Sequence, residues 1–154
     1  MMSFAVESLT ENLNDLKEMF PAHWEELALN KDSVPLDPQY EVYLARDQRG
    51  EVMFVAGREA GRIIAYFVGF VAPGLHYKTC LTLTMDIFWV RPEYRGKSAG
   101  VRLFKTVEAE ARRRGVHRMF MGSKLHKDSG WLFERLGYAP VETYYSKYLG
   151  EPSS

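Results

Sequence analysis

An α/β fold with a mixed central β-sheet flanked by helices is what this sequence predicts, on three observations. Apolar residues recur at helical spacing before residue 48 and again from Phe104 to Ala111. Between Val52 and Val90 the period changes to runs rich in β-branched and aromatic residues. Beyond Val90, helical and strand patterns alternate singly, as they do where helices cover a sheet.

Taken in order, Phe4 to Glu7 reads as a first strand, and Thr10 opens a helix carrying Leu13, Leu16 and Met19. Pro21 is expected to end it, with a second helical piece over Ala22 to Leu29. Asp37-Pro38 has the form of an N-cap and first helical residue for a helix reaching about Asp47. Val52 to Ala56 and Arg62 to Val71 form a hairpin turned by Gly57 to Gly61. A loop with Pro73 and Gly74 leads to a third long strand, Leu81 to Val90, stopped by Pro92. A helix from about Ser98 to Arg114 comes next, closed by Gly115 as a left-handed cap. His117 to Gly122 reads as a strand, Asp128 caps a helix bearing Trp131, Leu132 and Leu136, and Val141 to Tyr148 is a final strand. The predicted order is β-α-α-β-β-β-α-β-α-β.

The 154 residues suit one domain, expected over 1–150 with a frayed tail at 151–154. Lys+Arg 20 against Asp+Glu 20 speaks against a dedicated nucleic-acid binder, which needs excess cations to displace counterions from phosphates. Cys80 is the one cysteine, so an intramolecular disulfide is excluded and a reducing, cytoplasmic setting is the natural reading. No Cys/His cluster has metal-ligand spacing, and no metal is expected. The N-terminus lacks a signal-peptide pattern, and the longest apolar stretch, Ile63 to Pro73, is well short of the ~20 residues of a membrane helix.

Chemistry concentrates where Trp89-Val90-Arg91-Pro92-Glu93-Tyr94-Arg95-Gly96-Lys97-Ser98-Ala99-Gly100-Val101 joins a strand to a long helix. Free amides at the helix start and the positive end of its dipole suit such a turn to phosphate oxygens. Arg95 and Lys97 add charge. By itself this reads either as a phosphate site or as an ordinary solvated turn.

The run Val-x-Pro-Glu-Tyr-Arg-Gly-Lys, then Gly and a helix, resembles the signature of GNAT acetyltransferases. Trp131-Leu132-Phe133-Glu134-Arg135-Leu136-Gly137-Tyr138 is similar to the family's penultimate helix. The resemblance covers Val52 to Tyr148 and implies a GNAT-like fold acting as an N-acetyltransferase. Acetyl-CoA would be the acyl donor, and a primary amine of a small molecule or a protein the acceptor. It implies that Arg95, Gly96, Lys97, Ser98, Ala99, Gly100 and Val101 hold the coenzyme A pyrophosphate. Backbone groups at Phe88, Trp89 and Val90 would hold the pantetheine arm between splayed strands. Ser98 stands where the family usually has Gly, so a positive φ would be strained there, while its hydroxyl is available to cap the helix.

Acyl transfer needs a neutral amine and hence a route for its proton. Asp86, a lone carboxylate in the run Met85 to Val90, reads either as the general base or as a surface residue or one paired with a cation. The family's usual acid, a tyrosine, aligns with Phe133, which has no proton to give but still falls at the cofactor site. Tyr138, Tyr144, Tyr145, Ser123 and His126 are the substitutes, with His126 placed first because its charge changes near neutrality. His76 and Tyr77, together with His23, Trp24, Glu25 and Glu26, are candidates for selecting the acceptor. A noncatalytic acyl-CoA-binding module remains the alternative, prompted by Phe133 and Ser98. The aromatic final strand is compatible with a homodimer formed by strand pairing or exchange.

Overall fold

The change of period at Val52 marks where the chain passes from surface helices into a sheet covered on both faces. The computed structural model describes residues 1–150. It contains β1 (Ser3–Glu7), α1 (Leu13–Leu27), α2 (Tyr40–Gln48), β2 (Val52–Glu59), β3 (Arg62–Gly74) and β4 (Tyr77–Val90), then α3 (Ala99–Arg113), β5 (Arg118–Phe120) and α4 (Gly130–Arg135). The strands lie in the order β1-β2-β3-β4-β5, antiparallel except for the parallel pair β4–β5. The sheet is therefore mixed, as predicted.

Residues 52–56 are buried without interruption, because β2 has helices on both sides and no wet face to offer polar residues. One face packs Met53, Val55, Ile64, Phe67, Leu83 and Val90 against Leu103, Phe104 and Val107 of α3 and Leu132 and Phe133 of α4. The other packs Phe54, Tyr66, Val68 and Trp89 against Leu16, Met19 and Phe20 of α1. Arg114 Nη1 donates to Val52 O at 3.0 Å and its Nε to Glu110 Oε1 at 2.9 Å, pinning the end of α3 to the start of β2.

Several expected boundaries differ. Pro21 lies inside α1 rather than ending it, for Leu16, Met19, Phe20 and His23 are all buried from one continuous helix. That shared burial outweighs a missing hydrogen bond and a ring clash of about 3 kcal/mol. Asp37-Pro38 does not start α2, whose first residue is Tyr40 and whose N-cap, Gln39, makes no side-chain cap. The hairpin turns at Ala60 and Gly61, both with positive φ (52° and 80°), so Gly57 belongs to β2. Pro73 and Gly74 lie within β3, and β4 begins at Tyr77. The strand expected over His117 to Gly122 is only the three residues of β5.

The final strand expected over Val141 to Tyr148 is not formed: residues 139–150 carry neither helix nor strand. Tyr144 and Tyr145 are 87% and 93% exposed. Aromatic strand propensity is expressed only against a paired neighbour, and among the described residues of one chain this segment has no strand beside it. The tail at 151–154 lies outside the described residues.

Candidate functional site

The register of β3 with β4 slips by one residue where Val68 faces Ile87 and Gly69 faces Met85, leaving Asp86 as the extra residue of a β-bulge. Asp86 and Ile87 consequently both turn toward α1 and α2, whereas Met85 and Phe88 pack toward α3. Gly69 permits the close approach: a Cβ there would come within 2.8 Å of Leu83 Cδ1 and of the Phe67 ring. On its other edge β4 pairs with β5 only over Thr82–Thr84. From Met85 to Val90 that edge has no strand partner among the described residues, and it runs directly into the Gly-rich turn.

The turn holds two left-handed residues, Gly96 (φ 78°) and Ser98 (φ 64°, ψ 5°). Gly adopts this conformation freely, whereas for Ser it costs roughly 1–2 kcal/mol. Ser98 makes no side-chain cap, so the expected hydroxyl cap is absent, and α3 opens on bare backbone amides. A cavity of about 370 Å³ lies against these elements, lined by Phe88, Trp89, Val90, Gly96 and Gly100 on one side and Lys127, Trp131 and Leu132 on the other. Space beside Gly96 is open, while a Cβ at Gly100 would meet Leu132 Cδ2 at 3.2 Å. An extended, partly apolar ligand with an anionic end fits this donor set.

Arg95 does not point freely into that space. Its two terminal nitrogens each lie 2.7 Å from a Glu26 carboxylate oxygen, its Nε donates to Val90 O at 3.0 Å, and Trp89 Nε1 donates to Glu26 at 3.2 Å. Burial works to raise the Glu26 carboxyl, but the hydrogen bonds from Arg95 and Trp89 outweigh it and hold the group below the usual carboxylate range. The cation thus ties α1 to the turn. Arg95, so engaged, and Lys127 are the cations that line the cavity.

A second cleft, of about 600 Å³, opens between α1, α2 and the sheet, and Leu27 lines both. Tyr43 lines it and donates a short hydrogen bond to Asp86 Oδ2. Burial raises the Asp86 carboxyl above its ordinary value against the pull of Tyr43 and Arg46, and burial raises the Tyr43 hydroxyl as well. His23, buried beneath the cleft, has Nδ1 2.6 Å from Tyr66 Oη and stacks on Trp89. Burial pushes its imidazole down to about 4, helped by Arg95 and Lys124 and opposed by Glu26.

Other expected residues fall elsewhere. Phe133 is buried in a ring cluster with Phe88, Phe104 and Tyr138 rather than facing the cavity. Tyr138 donates to Met119 Sδ at 3.8 Å, and burial pushes its hydroxyl up to about 12, which makes it a poor acid. Ser123 donates to Asp128, which also accepts from Gly130 N, but the N-cap of α4 is Ser129, one residue beyond the cap expected at Asp128, and it makes no side-chain cap. His126 sits at the exposed tip of the loop bridged by Lys124 and Lys127. Tyr145 is exposed in the C-terminal segment that carries neither helix nor strand.

Trp24 lines the second cleft, but Glu25 is exposed and bridges Lys31 instead. His76 and Tyr77 lie at the β3–β4 turn, ten or more residues along β4 from Ile87 and hence roughly 30 Å away. Sequence reasoning missed Tyr43, Arg46, Lys124 and Lys127. Only spatial pairing marks them, for each is an unremarkable polar residue in its own segment.

Residues 11–138 match the model of the acetyltransferase (GNAT) family. No curated protein matches the chain. Among solved structures, the ribosomal-protein-alanine N-acetyltransferase of Brucella melitensis biovar Abortus 2308 is similar at a TM-score of 0.77 and 15% identity, over 98% of this chain and 99% of that one. A predicted acetyltransferase from Clostridium acetobutylicum, solved with acetyl-CoA, gives 0.74 and 15% over 97% of each chain. An aminoglycoside acetyltransferase from an uncultured soil metagenomic sample gives 0.69 and 13%, over 96% of this chain and 97% of that one.

Proposed function

The chain belongs to the acetyltransferase (GNAT) family, and on that footing we propose that it transfers an acetyl group from acetyl-CoA to a primary amine. The observation that carries this reading is the open β4 edge from Met85 to Val90 running into the left-handed turn at Gly96 and Ser98. In this reading the amides of 96–101 hold the pyrophosphate, Lys127 adds charge, and backbone groups of Phe88–Val90 hold the pantetheine arm. The bound thioester supplies the acetyl carbon and a sulfur leaving group.

Asp86 is the base. Its raised pKa brings it closer to the range where a carboxylate accepts a proton near neutrality, and Tyr43 fixes its orientation. It takes one proton from the ammonium. The nitrogen then bonds the acetyl carbon and the carbonyl pair moves to oxygen; as that pair returns, the carbon–sulfur bond breaks with its electrons on sulfur, and the thiolate takes up the second nitrogen proton. In this reading a backbone amide at the open end of β4 donates to the oxyanion. With Phe133 in the core and Tyr138 held protonated, water serves that last proton transfer.

Thiol release measured over a panel of small amines and amine-bearing peptides tests the proposal. Turnover with at least one acceptor is expected. Acetyl-CoA binding without turnover on any acceptor would favour the noncatalytic module instead, the reading supported by Phe133 and by the engagement of Arg95 with Glu26.

Among the described residues no helix is long and apolar enough to cross a membrane. A reducing, cytoplasmic setting for the reaction agrees with the free thiol of Cys80. The exposed aromatic run containing Tyr144 and Tyr145 supports strand pairing or exchange between two copies. Light scattering should then report about twice the 17.8 kDa chain mass, and a monomer would overturn it.

A further inference from the structure

The identity of the acceptor can be read one step further from the walls of the 600 Å³ cleft, an inference that rests on the acetyl-transfer reading. Those walls are mostly apolar, with Phe20, Trp24 and Leu27 from α1, Leu36 from the connecting segment, and Phe70 and Ile87 from the sheet. The charged groups lining it are Asp37, Arg46 and Lys124, to which Asp86 adds a second carboxylate through Tyr43. Two cations against two carboxylates leave no surplus of negative charge. A ligand with several ammonium groups would lose hydration there without matching partners.

The floor adds a directional group. Tyr66 is fully buried, and among the described residues its hydroxyl has one partner, His23 Nδ1 at 2.6 Å. The arrangement that strands no hydrogen is Tyr66 O–H donating to Nδ1, which places the ring hydrogen on Nε2. Burial keeps the imidazole neutral, down to about 4, so this single hydrogen stays in place at neutral pH. Trp89, stacked on the ring at 6.0 Å and 10°, fixes its plane. No buried side-chain nitrogen or oxygen lacks a partner among the described residues. Nε2 has no hydrogen-bond partner among those residues and so is not fully enclosed, and the cleft is what His23 lines. An N–H fixed in this way donates to an oxygen lone pair and repels an ammonium.

We propose that the acceptor is a monoamine with an apolar body, its one amino group lying beside Asp86 and Tyr43 and an oxygen acceptor on the same molecule bound by His23 Nε2–H. Polycationic aminosugars are not acceptors for this cleft. His23 is then a specificity-determining residue.

The test uses the full chain, with acetyl-CoA binding followed by calorimetry and thiol release followed for three 2-arylethylamines carrying a ring methoxy group at the ortho, meta or para position. Each is paired with its ethyl isostere, and kanamycin serves as the polycation. At least one methoxy compound should exceed its ethyl counterpart at least tenfold in kcat/KM, and kanamycin should fall at least a hundredfold below it. In His23→Phe the methoxy-to-ethyl ratio should collapse to about one, whatever the absolute rate, and His23→Gln, which keeps an N–H donor, should restore part of it. Kanamycin turned over as well as the arylethylamines, or no methoxy preference in the wild-type chain, overturns this inference while leaving acetyl transfer standing. Loss of acetyl-CoA binding itself in the wild-type chain overturns the transferase reading and this inference together.

Discussion

Toward α3 and α4 the sheet presents Phe67 and Phe88 to Phe104 and Phe133, rings meeting edge-on with centroids 5.0 to 5.9 Å apart. Toward α1 and α2 it presents Tyr66, Asp86 and Trp89, each hydrogen-bonded to a side chain from a helix. The two faces bury comparable apolar residues, yet these four rings hold no group able to exchange a proton and the second face is built around three such contacts. Separating the two roles lets the ring cluster be packed to density while the other face keeps the larger opening. Variants on the two faces should therefore fail in different ways.

The largest effect is expected where the closed face meets the turn. Gly100→Glu pushes side-chain atoms against Leu132, already 3.2 Å from a Cβ, and sets a negative charge among the amides proposed for the pyrophosphate. Calorimetry should show acetyl-CoA affinity falling about a thousandfold or more, near 4 kcal/mol, and unchanged affinity would remove the turn from the site. Phe104→Ala on the closed face should cost roughly 3–5 kcal/mol in denaturant unfolding, with kcat per folded molecule preserved. A comparable loss of kcat would mean the faces are not separate.

On the open face, Asp86→Asn should lower kcat on the order of a hundredfold, the usual contribution of a general base. The loss should be greatest at low pH, where the amine is protonated, and an unshifted pH–rate profile would exclude Asp86 as base. His23 gives a smaller signal in stability. Its folded pKa of about 4 lies below the ordinary 6.5, so as pH falls from 6.5 toward 4 the unfolded chain binds the proton first and stability declines, levelling off below 4. In His23→Phe that slope should flatten, and an unaltered slope would contradict a buried neutral imidazole. Smallest of all, Ser98→Gly should relieve the left-handed backbone and stabilise the fold by roughly 0.5–1 kcal/mol, net of glycine's greater freedom when unfolded. Thermal unfolding reads it directly, and a lower Tm would argue that Ser98 contributes a contact that glycine cannot.

Legibility in the sequence depends on how locally each feature is encoded. The turn at 95–101 is contiguous, so its residue order can be matched to the family's, and that resemblance is what flags a positive φ at Ser98. Asp86 is conspicuous because a carboxylate interrupts an apolar run. Its bulge is not conspicuous, since it exists only in the register with Val68 and Gly69, which no local pattern specifies. Glu26 and Arg95 meet across 69 positions, and His23 and Tyr66 across 43, so their partnerships had no signature in either segment. Pro21 misled because propensity is local, whereas the burial that carries α1 through it is not. The 141–148 segment misled for the converse reason, its residues favouring a strand that a single chain does not pair.

The slip opposite Val68 and Gly69 leaves one position of the sheet free to change over time. From Leu81 to Val90 every other position of the fourth strand answers to a neighbour across the ladder, so removing any of them would rotate the residues beyond it to the wrong side. The supernumerary carboxylate answers to none. Excising that one codon would restore an unbroken ladder with Trp89 and Val90 facing as before. The sheet would persist without Asp86, which makes this the place where the base proposed above can be lost or replaced without rebuilding the protein around it.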